Sequence, residues 1–235
     1  MSIIIQNVEK LKEEILVENN KQATRNDLAR VAKLMAISFL DYPFMNHSFF
    51  QYNFKNQSEQ LQFLEKMCFI YAKAIFKHVK ILISENQFEL SGLAILSEIE
   101  QMSISLFDLM RGGLITFSPQ LCKKYAIQFI KFFLTEAATL NDKFLNPHTW
   151  YLHIFAINPD YQGQKIGSKL MNEGVLSYIR RQQGKYLITS TNTKSALNFY
   201  IKNGFELLAQ EQLICRGTSK IDKFVIRHNL SEVAQ

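Results

Sequence analysis

The chain has 235 residues, 47% hydrophobic and 20% charged, enough to bury a full core in one domain or one domain with an insertion. No stretch reaches the roughly 18 consecutive apolar residues of a membrane span. The opening MSIIIQNVEKLKEEI has neither a basic leader nor a small-residue cleavage site, so a cytoplasmic location with no membrane partner is expected. The formal charge of +6 is concentrated, since residues 160–228 hold 11 basic and 5 acidic side chains while the rest of the chain carries equal numbers of each sign. Such an excess serves either a polyanionic partner or solubility.

In chain order, residues 26–40 place Leu28, Val31, Leu34, Met35 and Phe39 on one helical face, with Asn26 or Asp27 available as the cap. Residues 58–76 repeat the pattern with Leu61, Leu64, Met67, Cys68, Tyr71 and Ile75. Between them lies the aromatic connector DYPFMNHSFF, where Pro43 discourages further helix. Val79–Ser84 and Phe88–Leu96 read as strands joined by a turn at Glu85-Asn86-Gln87. Residues 101–142 are predicted helical, split by Gly112-Gly113 and Pro119.

A strand is predicted over Thr149–Ile157, a helix over 168–182, a short strand over Tyr186–Ser190 and a helix over 194–202 that closes on Gly204 as a left-handed cap. Two further strands are expected near 205–214 and 221–229. Cys68, Cys122 and Cys215 lack metal-ligand spacing and read as buried reduced thiols, so no metal is expected. Without repeats or linkers, the whole chain 1–235 reads as one α/β domain.

The most informative stretch is WYLHIFAINPDYQGQKIGSKLM. A strand runs into Asn158-Pro159, then a turn with Gly163 and Gly167, then a helix. Glycines there let backbone N–H groups approach a ligand, and the helix start adds partial positive charge, so the pattern suits a pyrophosphate. A structural turn uses the same residues. The spacing fails a Walker motif, which needs G-x-x-x-x-G-K-[ST], and a dinucleotide fingerprint, which needs an acidic residue about 20 positions on, where Gln182, Gln183 and Gly184 stand.

The run Gln162-Gly163-Gln164-Lys165-Ile166-Gly167 resembles the [RQ]-x-x-G-x-[GA] signature of the GNAT acetyltransferase superfamily. Asn198-Phe199-Tyr200-Ile201-Lys202-Asn203-Gly204-Phe205 is similar to that family's fY-x-x-x-G-F element, at a matching separation. Within the family, W-Y-L before the strand and the D-Y-P connector look most like small-molecule enzymes of the puromycin-acetyltransferase type. The resemblance implies a mixed, mostly antiparallel sheet of about six or seven strands flanked by helices, with 97–148 as a helical insertion and 149–209 as the cofactor-binding core. It implies acetyl-CoA as cofactor, a small-molecule amine as acceptor, and a monomer or homodimer.

By the same resemblance, Phe155, Ile157 and Asn192 line the pantetheine arm, and Gln162, Gly163, Gln164, Lys165, Ile166, Gly167 and Ser168 cradle the pyrophosphate. Asn192 has a second reading, as cap of the next helix. Lys165 stands where the family carries its central glycine. A side chain is accommodated there if the backbone takes an ordinary φ and points it outward, leaving the ammonium available to a phosphate.

Acetyl transfer needs a polarised thioester carbonyl, a neutral amine and a protonated leaving thiolate. Tyr200 is the candidate acid, because a phenol near pKa 10 can donate to a thiolate whose conjugate acid lies at about 8.5. Its helical spacing with Ala196, Leu197 and Ile201 also suits a packing aromatic. His153 is the candidate base, which the period-two rule places on one face with Tyr151, Phe155 and Ile157. Glu98 and Glu100 compete for that role. Asp41, Tyr42 and Phe44 of the connector are the expected acceptor-pocket residues. The alternatives are a protein N-terminal or lysine acetyltransferase, an idle acyl-CoA-binding module, and a nucleic-acid binder. The last lacks any zinc, helix-turn-helix or RNP-like pattern, so no nucleic acid is expected.

Overall fold

A computed structural model describes residues 25–43, 54–76, 78–86, 89–99, 106–113, 146–215 and 219–231. Helices α1 (Arg25–Phe39) and α2 (Gln57–Ile75) follow the two apolar periodicities. Asn26 and Asp27 sit inside the first turn of α1 instead of capping it, where the Asp27 carboxylate complements the helix dipole. Asn56 caps α2 by accepting from the Glu59 N–H. Strands β1 (Lys80–Asn86) and β2 (Glu89–Glu98) pair antiparallel, so Glu85 and Asn86 belong to the strand and not to the turn. Of the expected helical insertion, α3 (Leu106–Gly112) is described; 114–145 lies outside the described residues.

After β3 (Thr149–Ile157) the chain enters a single 3-10 turn, Pro159–Tyr161, and then a helix α4 over 166–181. Its first turn, Ile166–Lys169, and last, Ser177–Arg181, are α-helical, while Leu170–Leu176 is π-helical. Then come β4 (Tyr186–Thr191), α5 (Lys194–Lys202), β5 (Phe205–Cys215) and β6 (Ser219–Asn229). Gly204 ends α5 at φ +85, as the cap reading requires.

Among the described residues the strands form one sheet in the order β1-β2-β3-β4-β6-β5. Every neighbouring pair is antiparallel except β3 with β4. One face packs on α1 and α2, with Leu34, Met35, Leu64 and Met67 against Ile81, Ile83, Leu93 and Ile95. The other packs on α4 and α5, with Leu170, Met171, Val175 and Ile179 against Leu82, Leu96, Leu152 and Leu187. Each such side chain contributes about 1.5–3 kcal/mol relative to exposure.

Register shifts occur at Ser84/Glu85 on β1 and at Leu207/Ala209 on β5, and β3 departs from regular pairing in two places. Ile95 pairs with Ile154 but Leu96 with Leu152, so His153 is an extra, bulged residue in β3. The parallel β3–β4 ladder covers only Thr149–Tyr151 against Tyr186–Ile188. Beyond those three rungs the two strands no longer pair, which leaves a gap between their C-terminal halves.

Among the described residues no helix is long and apolar enough to cross a membrane, and no group of His, Cys, Asp or Glu could hold a metal ion. Cys68 is buried and free, and burial pushes its thiol up to about 12. Cys122 and the side chain of Cys215 lie outside the described residues.

Candidate active site

The N–H of Asn158 donates to the Ser91 carbonyl on β2, at 3.0 Å. Strand alternation therefore directs the backbone groups of Phe155 and Ile157 away from β2, toward the side where β4 no longer pairs. Here the Ile157 carbonyl accepts from Ser38 Oγ at 3.4 Å and from Gln162 Nε2 at 3.3 Å. The end of α1 and the start of the turn thus meet at the last residue of β3.

The turn at 162–168 is exposed through Lys165 and half-buried from Ile166 onward. Gly163 has φ +78 and open space where a Cβ would stand. Gly167 faces inward, where a Cβ would meet Phe199 at 3.2 Å and Ile157 at 3.4 Å, so its missing side chain lets α4 start close against β3 and α5. The first N–H groups of α4 have no partner within the helix and point back toward the turn.

Lys165 corrects one expectation. Its backbone is left-handed, at φ 62 and ψ 6, and not in an ordinary region. The turn thus holds a conformation that favours glycine despite the side chain, at a cost of about 1–2 kcal/mol for an L-residue. Lys165→Gly should therefore stabilise the free protein by up to about 1 kcal/mol, after the extra chain entropy of glycine is set against the relieved strain. That gain corresponds to a rise in Tm of about 2–4 °C. Thermal melts of the two proteins check it, and an unchanged or lower Tm would show that the left-handed turn carries no strain.

On α5, Tyr200 is 6% exposed, with its ring against Phe199 at 5.4 Å and Phe205 at 5.0 Å. Its hydroxyl shares a hydrogen bond with the side chain of Thr189 on β4. Thr189 Oγ1 in turn donates to the Leu152 carbonyl at 2.8 Å, bridging the strands where their ladder ends. Burial, and then the neighbouring Tyr42, push the Tyr200 phenol well above its ordinary value, so it holds its proton at neutral pH.

Tyr42 and Asn192, read separately as acceptor-pocket and cofactor-arm residues, are bonded to each other. The Asn192 N–H donates to Tyr42 Oη at 2.9 Å, and Tyr42 Oη donates to Asn192 Oδ1 at 3.0 Å. Asn192 Nδ2 donates to the Asp222 carbonyl at 2.9 Å. Helix α5 is capped by Thr193, whose Oγ1 accepts from the Ala196 N–H, which removes the capping role for Asn192. Asp41 is exposed, and Phe44 lies outside the described residues.

His153 is not on the face of Phe155 and Ile157, because the bulge breaks the period-two count. Its ring packs edge-on against Tyr151 at 4.8 Å, while Phe155 stacks on Phe199 across the sheet. Its Nε2 shares a hydrogen bond with Ser97 Oγ at 2.9 Å, and burial pushes its pKa down to about 4. Glu98 is exposed beside Tyr178, whose phenol it helps push up to about 12 after the larger effect of burial, and Tyr178 packs on the α4 face. Glu100 lies outside the described residues. Ser38 and Thr189 escaped sequence reading; the sole signal was an inward-facing hydroxyl at each of two otherwise apolar faces.

Residues 127–207 match the family model for the acetyltransferase (GNAT) domain, a span that ends just past α5. Among solved structures, the chain is similar to one assigned to the GNAT family from Desulfovibrio desulfuricans, at 14% identity and TM-score 0.50, covering 90% of this chain and 97% of that one. The yncA protein of Salmonella typhimurium, solved with its cofactor acetyl-CoA, aligns at 13% identity and TM-score 0.48 over 92% of this chain and 95% of that one. The ribosomal-protein-S18-alanine N-acetyltransferase of Escherichia coli aligns at 10% identity and TM-score 0.48, with the same coverage of 92% and 95%. Among curated proteins, none matches the sequence. Residues 127–207 are thus similar to the acetyltransferase (GNAT) domain, and the sheet shares the fold of the Desulfovibrio desulfuricans structure.

Proposed function

We propose that the protein transfers the acetyl group of acetyl-CoA to a small-molecule amine by direct attack within a ternary complex. The observation that carries this reading is convergence. The phosphate turn at 162–168 follows β3 directly, the β3–β4 ladder ends after three rungs, and the protonated Tyr200 hydroxyl stands beside Thr189 on β4. The cradle suits a pyrophosphate, because Gly163 leaves the approach open and the orphan N–H groups of α4 supply donors.

In this reading, Gln162 through Ser168 hold the phosphates, and the exposed Lys165 adds a cation beside them. Phe155 and Ile157 offer backbone groups to the pantetheine arm from the unpaired side of β3. The amine lone pair attacks the thioester carbonyl carbon, the carbon–sulfur bond breaks, and the thiolate takes its proton from Tyr200. The amine's surplus proton leaves by water, and water returns a proton to the Tyr200 phenolate, so the enzyme regains its starting state. His153 is neutral at pH 7, but a base held at about pKa 4 is far from the match to working pH that efficient proton abstraction needs.

The small-molecule acceptor rests on the aromatic connector, whose Tyr42 is tied to Asn192, the residue that follows β4. That is the feature on which a puromycin-acetyltransferase-like specificity depends. The left-handed backbone at Lys165 speaks against an idle module, since the turn keeps its ligand-ready shape at a cost in stability.

Acetyl-CoA should raise the Tm in a concentration-dependent way. A ligand at a hundredfold excess over its Kd adds about 2.7 kcal/mol to a native state that alone binds it. A thermal shift titration measures this directly. A flat response up to millimolar acetyl-CoA would overturn the cofactor assignment.

A further inference from the structure

Helix α4 leaves the phosphate turn and, one turn later, widens into the π segment Leu170–Leu176. Such a segment is rare inside an α-helix and tends to mark positions with a function. Asn172 sits in it. Its Nδ2 donates to the Ser168 carbonyl at 2.8 Å and to Asn203 Oδ1 at 2.8 Å. Asn203, 7% exposed at the end of α5, donates from its own Nδ2 to the Phe199 carbonyl at 2.7 Å. The Ser177 hydroxyl donates to the Asn172 carbonyl at 2.9 Å, which fixes the widened turn from below.

Two side-chain amides thus join the carbonyl of the last turn residue, Ser168, to the carbonyl of the residue before Tyr200. The direction of the chain of bonds is fixed. Turning either amide over would set oxygen against a carbonyl, or a donor against a donor. The Asn203 N–H also closes α5 on the Phe199 and Tyr200 carbonyls, so the bridge ends on the backbone that carries the phenol.

We infer that Asn172 and Asn203 are positioning residues, which hold the Tyr200 hydroxyl in register with a cofactor anchored at the 162–168 turn. This rests on the reading of acetyl-CoA as substrate and of Tyr200 as acid. The phosphates fix one end of the cofactor at the start of α4, and the sulfur lies at the far end of the pantetheine arm. The spacing of α4 and α5 therefore decides whether the phenol reaches the departing sulfur. A displacement of about 1 Å at a reacting centre can cost about a hundredfold in rate.

The test is a double-mutant cycle on thiol release from saturating acetyl-CoA with water as acceptor, alongside the Kd for coenzyme A. Asn172→Leu removes both donations at nearly constant volume. It should lower the rate about 10- to 100-fold, leave the Kd within about threefold, and cost less than about twofold when Tyr200→Phe is already present. Asn203→Asp, which keeps the acceptor for Asn172 but loses the donation to Phe199, should show the same dependence on Tyr200 and serves if the leucine variant folds poorly. An equal loss with and without the Tyr200 hydroxyl would make the bridge merely structural and overturn the proposal. A Kd weakened in step with the rate would do so too, by making it a support of the turn. If Tyr200→Phe alone leaves the rate unchanged, the acid assignment falls and the proposal with it. Absence of coenzyme A binding would instead remove the cofactor reading itself.

Discussion

Tyr200→Phe should lower kcat by about 10²- to 10⁴-fold while leaving the Kd for acetyl-CoA nearly unchanged. The ring is held by Phe155, Phe199 and Phe205, and phenylalanine keeps all of those contacts. What is lost is one hydroxyl and its bond to Thr189. Thr189 still donates to the Leu152 carbonyl, so no buried donor is stranded and stability should change by about 1 kcal/mol. The hydroxyl contributes to catalysis mainly where the thiolate forms, since the ground state has no charge on sulfur to stabilise. Its raised pKa keeps it protonated throughout the neutral range, the form a donor requires, but also makes it a weaker acid than an ordinary phenol, so the transfer relies on the charge that develops on sulfur. Steady-state constants at saturating acceptor decide the matter. A fall in kcat/KM without one in kcat would assign the hydroxyl to positioning. Turnover within about threefold of wild type would reduce Tyr200 to a packing residue.

Local chemistry explains which parts of this site were legible in advance. The strand–turn–helix at 149–181 and the capped helix at 194–204 are written in short-range signals: Asn158-Pro159, Gly163, Gly167, Thr193 and Gly204 each act on the backbone around them. The bulge at His153 is different in kind. Nothing in YLHIFAI announces an extra residue, because a bulge is a relation between β3 and β2. One residue of register moved His153 to the other face and separated it from Phe155.

The bond between Tyr42 and Asn192 spans 150 positions, so each residue could be read as part of a site but not as the other's partner. Lys223 makes the same point from the opposite side. A charged residue in a strand reads as solvent-facing, yet its side chain is 1% exposed on β6. Lys165 shows a subtler limit: the substitution was visible, but the backbone conformation was set by the turn around it and not by the residue.

His153 should make the protein lose stability on the acid side more steeply than a variant without it. Burial holds its folded pKa at about 4, against 6.5 for the free imidazole. Between those values the unfolded chain binds more protons than the folded one, so stability rises with pH. The contribution is fully present above pH 6.5, is lost as pH falls, and levels off near pH 4. At about 1.4 kcal/mol per unit, the whole window amounts to about 3 kcal/mol. His153→Gln retains a partner for Ser97 but cannot titrate. Wild type should therefore lose about 2–3 kcal/mol more than the variant between about pH 7 and pH 4.5 in urea unfolding. His228, also held below its ordinary value by burial and by Arg180, is present in both proteins and cancels from the comparison. Matching acid limbs would mean that the folded protein protonates His153 freely, which would also bring it nearer the pKa of a working base. The same variant then separates the two roles: kcat within a few-fold of wild type at neutral pH leaves proton removal to water, whereas a hundredfold loss would return His153 to the reaction.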